Sequence, residues 1–109
     1  MGKIVKGKGV SGGIGHGPLI FWQNGLSDVL IGRVIVLNEL NDTVAQLSKA
    51  SAILSFSGGV TSHGAIVARE FRLPCVVLDP GLEPILQLIV GSEVEVDGWQ
   101  GLMTFQLEQ

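Results

Sequence analysis

The stretch Ser57-Gly58-Gly59-Val60-Thr61-Ser62-His63-Gly64-Ala65-Ile66-Val67-Ala68-Arg69-Glu70 lies between two apolar runs, Ala52–Phe56 and Cys75–Leu78. The runs are short and rich in aliphatic residues, as buried strands are. Two glycines let the chain turn tightly after the first run. The spacing that follows predicts a helix over His63–Phe71, with Ile66, Val67 and Phe71 on its apolar side and Arg69 and Glu70 facing water. Pro74 biases its predecessor away from helix, so the chain leaves the helix and enters the second strand. A strand–helix–strand order predicts parallel pairing of 52–56 with 75–78 in an α/β domain.

The chemistry-bearing residues stand at the expected start of that helix. A helix N-terminus leaves free amides and the positive end of the helix dipole, which together suit an anion. The hydroxyls of Thr61 and Ser62 can add hydrogen bonds to phosphoryl oxygens, and the imidazole of His63 supplies a nucleophilic nitrogen. Gly64 is expected to leave room beside the ring for an incoming donor. Hydrolysis by a Ser62–His63 pair is disfavoured, because adjacent residues do not face each other as a nucleophile and its base must. On the residues alone, a helix-capping histidine after a glycine turn is the ordinary reading, and it is preferred over a phosphoryl site.

Upstream, Lys3–Lys6 and Gly17–Trp22 read as strands around a glycine-rich loop, Gly7–Gly17, and Val34–Leu37 as a buried strand. Asn38–Asn41 is turn-like, and Asp42 is the expected N-cap of a short helix over Thr43–Lys49 that turns Val44 and Leu47 to one side. Downstream, Leu82–Ile89 suits a short helix with Pro84 in its first turn. The alternating Glu93–Asp97, a turn at Asp97-Gly98, and Leu102–Leu107 form a hairpin pattern. The expected layout is a single domain over 1–109: a glycine-rich β segment 1–37, a helix and strand core 42–90 and a C-terminal hairpin 93–107.

Two glycine motifs mislead. Gly7-Lys8-Gly9-Val10-Ser11-Gly12 spells a dinucleotide fingerprint, but Gly13, Gly15, Gly17 and Pro18 follow where a helix must open. Gly2–Gly9 approaches a phosphate-binding loop, but Gly9 stands where Ser or Thr would hold magnesium. His16 has no ligand partner at metal spacing, so no metal site is expected. Cys75 reads as a small buried hydrophobe, and Trp22 and Trp99 as packing residues.

Composition narrows the function classes. Seven Lys and Arg against ten Asp and Glu leave a net charge of −3, which offers nucleic acid no electrostatic footprint. Apolar stretches such as Val29–Leu37 and Ile85–Val90 fall short of a membrane span. A lone cysteine excludes an internal disulfide framework and suits a cytoplasmic location.

Residues 58–70 followed by Leu73-Pro74-Cys75-Val76-Val77 resemble the phosphohistidine signature of phosphoenolpyruvate-utilising enzymes, the group of phosphoenolpyruvate synthase, pyruvate phosphate dikinase and rifampin phosphotransferase. The likeness extends to Gly9–Pro18, similar to the family's glycine-rich opening, and to Gly91–Gly101, similar to its closing hairpin. The resemblance implies a swivelling β/β/α phosphohistidine domain. It implies that His63 is transiently phosphorylated and carries the group between sites, with Gly59, Thr61, Ser62 and Gly64 around the phosphoryl group. The partners it implies are an ATP-binding (ATP-grasp-like) protein, a phosphoenolpyruvate barrel, or both. Cofactors are expected on those partners, as magnesium with ATP or phosphoenolpyruvate, and none in this domain. Gly64 departs from the commoner alanine and Cys75 from another alanine, and 109 residues hold neither partner domain. The expectation is thus a phosphotransferase component and not a complete enzyme. The competing expectations are a non-catalytic interaction or regulatory module and a detached piece of a larger phosphotransferase. The start at Met1 favours a standalone product.

Overall fold

Val34–Leu37 and Ala52–Ser55 are buried at every position, which is the mark of strands covered on both faces. They lie at the centre of a computed structural model that describes residues 2–23 and 30–106. In chain order the elements are β1 (Gly2–Lys6), β2 (Lys8–Ser11), β3 (Ile14–Phe21), β4 (Val34–Leu37), a 3-10 turn (Asp42–Gln46), β5 (Ala52–Ser55), α1 (His63–Glu70), β6 (Cys75–Val77), a 3-10 turn (Pro80–Leu82), α2 (Glu83–Leu88), β7 (Glu93–Asp97) and β8 (Leu102–Gln106).

The strands run in the order β1-β8-β7-β3-β4-β5-β6-β2. β3 divides this ribbon into two sheets. Its first half, Ile14–Pro18, pairs antiparallel with β7, and its second half, Leu19–Phe21, pairs parallel with β4. The sheet β3-β4-β5-β6 is parallel, as expected for 52–55 against 75–77, and β2 closes its edge antiparallel with a bulge between Gly9 and Ser11. Side-chain alternation then builds two cores. Val34, Val36, Leu54 and Val76 face Val94, Val96, Met103 and Phe105 of the antiparallel sheet, and Leu86 of α2 joins them. Ile35, Leu37, Ile53 and Cys75 face the other way, onto Val44, Leu47, Ala65 and Ala68. Sheet, sheet and helix form three layers, the expected β/β/α arrangement. No helix among the described residues is long and apolar enough to cross a membrane.

Several expected boundaries are corrected. The Gly7–Gly17 segment is not a loop but carries β2 and the start of β3. Its glycines are required because backbones meet there: a Cβ on Gly9 would strike the carbonyl of Gly98, and one on Gly15 that of Ser51. Asn41, not Asp42, caps the turn after β4, its Oδ1 accepting from Thr43 N at 2.9 Å, and that turn is a 3-10 helix ending at Gln46. α1 buries Gly64, Ala65, Val67 and Ala68, whereas Ile66 and Phe71 are exposed. The small residues let the helix sit close to the sheet, which rotates the larger ones outward. Trp99, at the β7–β8 turn, is exposed by 76% but lies with its ring over Gly12. Leu107, expected to end the hairpin, lies outside the described residues.

Candidate functional site

The loop from β5 to α1 is held by its own polar groups. The buried Ser55 donates from Oγ to Ser57 O at 2.8 Å, and Ser57 O also accepts from Leu40 N at 3.1 Å. Gly58 then takes φ +128°, a conformation that side chains rarely adopt, with Leu40 beneath it. Next, Gly59 O accepts from both Ser62 N at 3.0 Å and Ser62 Oγ at 2.8 Å, closing a tight turn over Gly59–Ser62. Ser62 is the N-cap of α1, its Oγ accepting from Ala65 N at 3.3 Å, and Ile66 N donates to Ser62 O at 3.1 Å as the first helical bond.

That geometry fixes what each expected residue offers. His63 is the first residue of α1 and is exposed. Helix geometry leaves the first-turn amides of His63 and Gly64 without an intrahelical acceptor, although Gly64 itself is buried. Thr61 is exposed next to them. The hydroxyl proton of Ser62 is already committed to Gly59 O. Gly59 is open, with nothing within 4 Å of a Cβ built on it. Gly64 has a different reason from the one expected. A Cβ there would lie 2.6 Å from Leu40 C and 2.8 Å from Asn41 N, so the glycine lets the helix start sit against that backbone instead of clearing space for a donor.

Arg69 is exposed, as its place on the water-facing side of the helix predicts, and it is also tied into this site. Its Nη1 donates to Val10 O and its Nη2 to Val60 O, each at 2.8 Å. Periodicity gave no warning of this, since an arginine on a polar helix face normally reads as solvated. Arg69 also lines a 450 Å³ hollow with Ser11, Gly12, Gly13, Arg72 and Trp99. His16 stands elsewhere, on the antiparallel sheet, where its Nδ1 lies 2.7 Å from Glu93 Oε2 in an exposed pair. Cys75 is fully buried, and burial pushes its thiol pKa up to about 12, so it is no nucleophile. Among the described residues, no three His, Cys, Asp or Glu side chains gather as a metal site would require.

An exposed histidine thus opens a capped helix on a loop after a parallel strand of a β/β/α domain, which makes the chain a small α/β module. Residues 31–101 match the family model of the PEP-utilising enzyme mobile domain, and the chain belongs to that family. It is 42% identical over 103 residues to phosphoenolpyruvate synthase of Pyrococcus furiosus, covering 92% of this chain and 12% of that enzyme. The chain thus spans about an eighth of the length of such relatives. Among solved structures, the N-terminal domain of Enzyme 1 - Nitrogen superposes with TM-score 0.52 at 19% identity, over 65% of this chain and 30% of that one. A chain of Thermococcus kodakaraensis aconitase X superposes with TM-score 0.67 at 20% identity, over 96% and 99%. These two likenesses concern the fold alone.

Proposed function

We propose that this chain is a phosphocarrier module in which His63 accepts a phosphoryl group from one partner site and passes it to another. The observation that carries the reading is the exposed imidazole at the first position of α1, directly after the Ser62 cap. In the transfer, the lone pair of one ring nitrogen attacks phosphorus and the bond to the donor's leaving oxygen breaks, its electron pair departing with the donor. The other ring nitrogen keeps its proton. The amides and Thr61 bind the phosphoryl oxygens, and the Ser62 cap holds the turn that aims them. Onward transfer reverses these steps on an acceptor.

The donor is ATP on an ATP-grasp-like partner, or phosphoenolpyruvate on a barrel, in the same polypeptide or another. Phosphoenolpyruvate, pyruvate or a further acceptor sits at the second site. Magnesium accompanies the phosphates of those partners. Similarity to phosphoenolpyruvate synthase over 92% of the chain supports this transferase role. The test incubates the protein with source-cell extract and labelled ATP or phosphoenolpyruvate, then counts acid-labile, alkali-stable phosphate. Label on the wild type and on His16→Ala but not on His63→Ala is expected. Equal label on His63→Ala refutes the proposal, and no label on any of the three favours a non-catalytic interaction module.

A further inference from the structure

The three glycine-marked segments of the chain converge on one guanidinium. The β7–β8 turn packs backbone to backbone on β2: Gly98 N donates to Gly13 O at 2.8 Å, and Gly7 N donates to Gly101 O at 2.7 Å. No side chain fits between them, since a Cβ on Gly98 would strike Ser11 O. β2 in turn is held by β6 on one side, and its Val10 carbonyl receives Arg69 Nη1. The second arm of the same fork reaches Val60 O, one residue before Thr61 and three before His63. The segment from Gly58 to Thr61 has few other anchors. Within it only Gly59 O is fixed, and that bond belongs to the Ser62 turn itself.

We infer that Arg69 is a positioning residue that locks the loop bearing His63 to the sheet edge by bridging the Val10 and Val60 carbonyls. A planar fork with donors in fixed geometry can hold two acceptors at once, and its charge strengthens both bonds. A lysine's ammonium has three donors but on a single nitrogen, so it lacks the two separate coplanar arms that reach both carbonyls here. Without the bridge, Val60 is released and the Gly59–Ser62 turn drifts, carrying the Ser62 cap and the ring of His63 with it. The consequence for transfer rests on the phosphocarrier reading. The mechanical lock does not.

The experiment compares wild type, Arg69→Lys and Arg69→Gln by amide hydrogen exchange and by label transfer in the extract assay. In Arg69→Gln, exchange at Ser62 and Ala65 is expected to rise at least tenfold, while Ile35, Ile53 and Leu54 of the central strands keep their wild-type rates. Label transfer falls by about 10²-fold in maximal rate, the scale of a misplacement near 1 Å. The carrier concentration giving half-maximal rate stays within a factor of two, because docking is untouched. Arg69→Lys recovers part of both effects. Unchanged exchange at Ser62 and Ala65, or faster exchange spread through the central strands, overturns the lock. If the wild type takes no label while Arg69→Gln still frees Ser62 and Ala65, the lock stands and the carrier reading fails.

Discussion

Replacing Gly64 by alanine sets two effects against each other at the helix start. Alanine in a helix is favoured over glycine by about 1 kcal/mol. At this position the new methyl would lie 2.6 Å from Leu40 C, 2.8 Å from Asn41 N and 2.9 Å from Asn41 O. All three are backbone atoms, so no side chain can swing aside. Reaching an ordinary contact near 3.4 Å requires the helix start and the Leu40–Asn41 segment to separate by about 0.8 Å. Leu40 is buried under Gly58, and its amide is bonded to Ser57 O, so the displacement strains the same loop from both ends. Overpacking of this kind costs about 1–3 kcal/mol, leaving a net loss of about 1 kcal/mol. The control is Gly59→Ala, where a Cβ meets nothing within 4 Å and the backbone is outside the left-handed region. There the loss of unfolded-state freedom favours folding by about 0.4–1 kcal/mol. Equilibrium denaturation at constant m should therefore separate the two variants by about 1.5–2 kcal/mol, or roughly 6–16 °C in Tm for a domain of this size. A Gly64→Ala protein more stable than wild type by about the full helix-propensity term would refute the reasoning.

Ser62→Ala removes both the bond to Ala65 N and the bond to Gly59 O, and should lower stability by about 1 kcal/mol, measured by urea unfolding. Arg72 closes α1 at φ +59°, with Leu73 N donating to Ala68 O and Arg72 N to Arg69 O, the bonding that usually ends in glycine. Arg72→Gly should raise stability by about 1 kcal/mol in the same assay, because an L side chain in that region carries a cost of this size. Cys75 has a folded pKa near 12 against 9 when unfolded, so above pH 9 the folded protein holds a proton that the unfolded chain has lost. Stability is fully present below pH 9 and falls as pH rises toward 12, by up to about 1.4 kcal/mol per unit. Cys75→Ala should flatten that slope, and a native thiol that reacts quickly with a disulfide reagent at pH 8 would contradict its burial.

The central strands and α1 were legible because their signals are local. Aliphatic runs bounded by glycine and proline mark buried strands, and α1 begins at His63 as expected and ends one residue early. The missed strand β2 and the early start of β3 have a common cause. Gly7 and Gly9, and Gly13, Gly15 and Gly17, recur at period two, which is the period of a strand face. Composition alone made them a loop, whereas their spacing marks faces stripped of side chains where another backbone lies. The outward turn of Ile66 and Phe71 has the opposite origin, since hydrophobicity ranks them above the Ala65 and Ala68 that join the core beneath the helix. The placement of His63 followed from sequence. The lock by Arg69 could not, because Val10 is 59 residues away and no periodicity connects them.

The fold by itself does not assign a task, since a chain of aconitase X shares it over nearly its whole length. What supports the proposed carrier reading, beyond the fold, is how the loop before α1 uses its hydrogen bonds. Ser62 uses both its donor and its acceptor inside the loop, Gly58 accepts a conformation closed to other residues, and Arg69 spans two segments to hold Val60. All of that constraint converges on a residue that is itself exposed. A rigid loop beneath a free imidazole suits a group that must meet two different sites in one orientation, because each docking then finds the ring already aimed. On the proposed carrier reading, the constraint also implies an asymmetry in variants: those that loosen the loop should slow both half-transfers together, whereas those at a docking surface should slow one and spare the other.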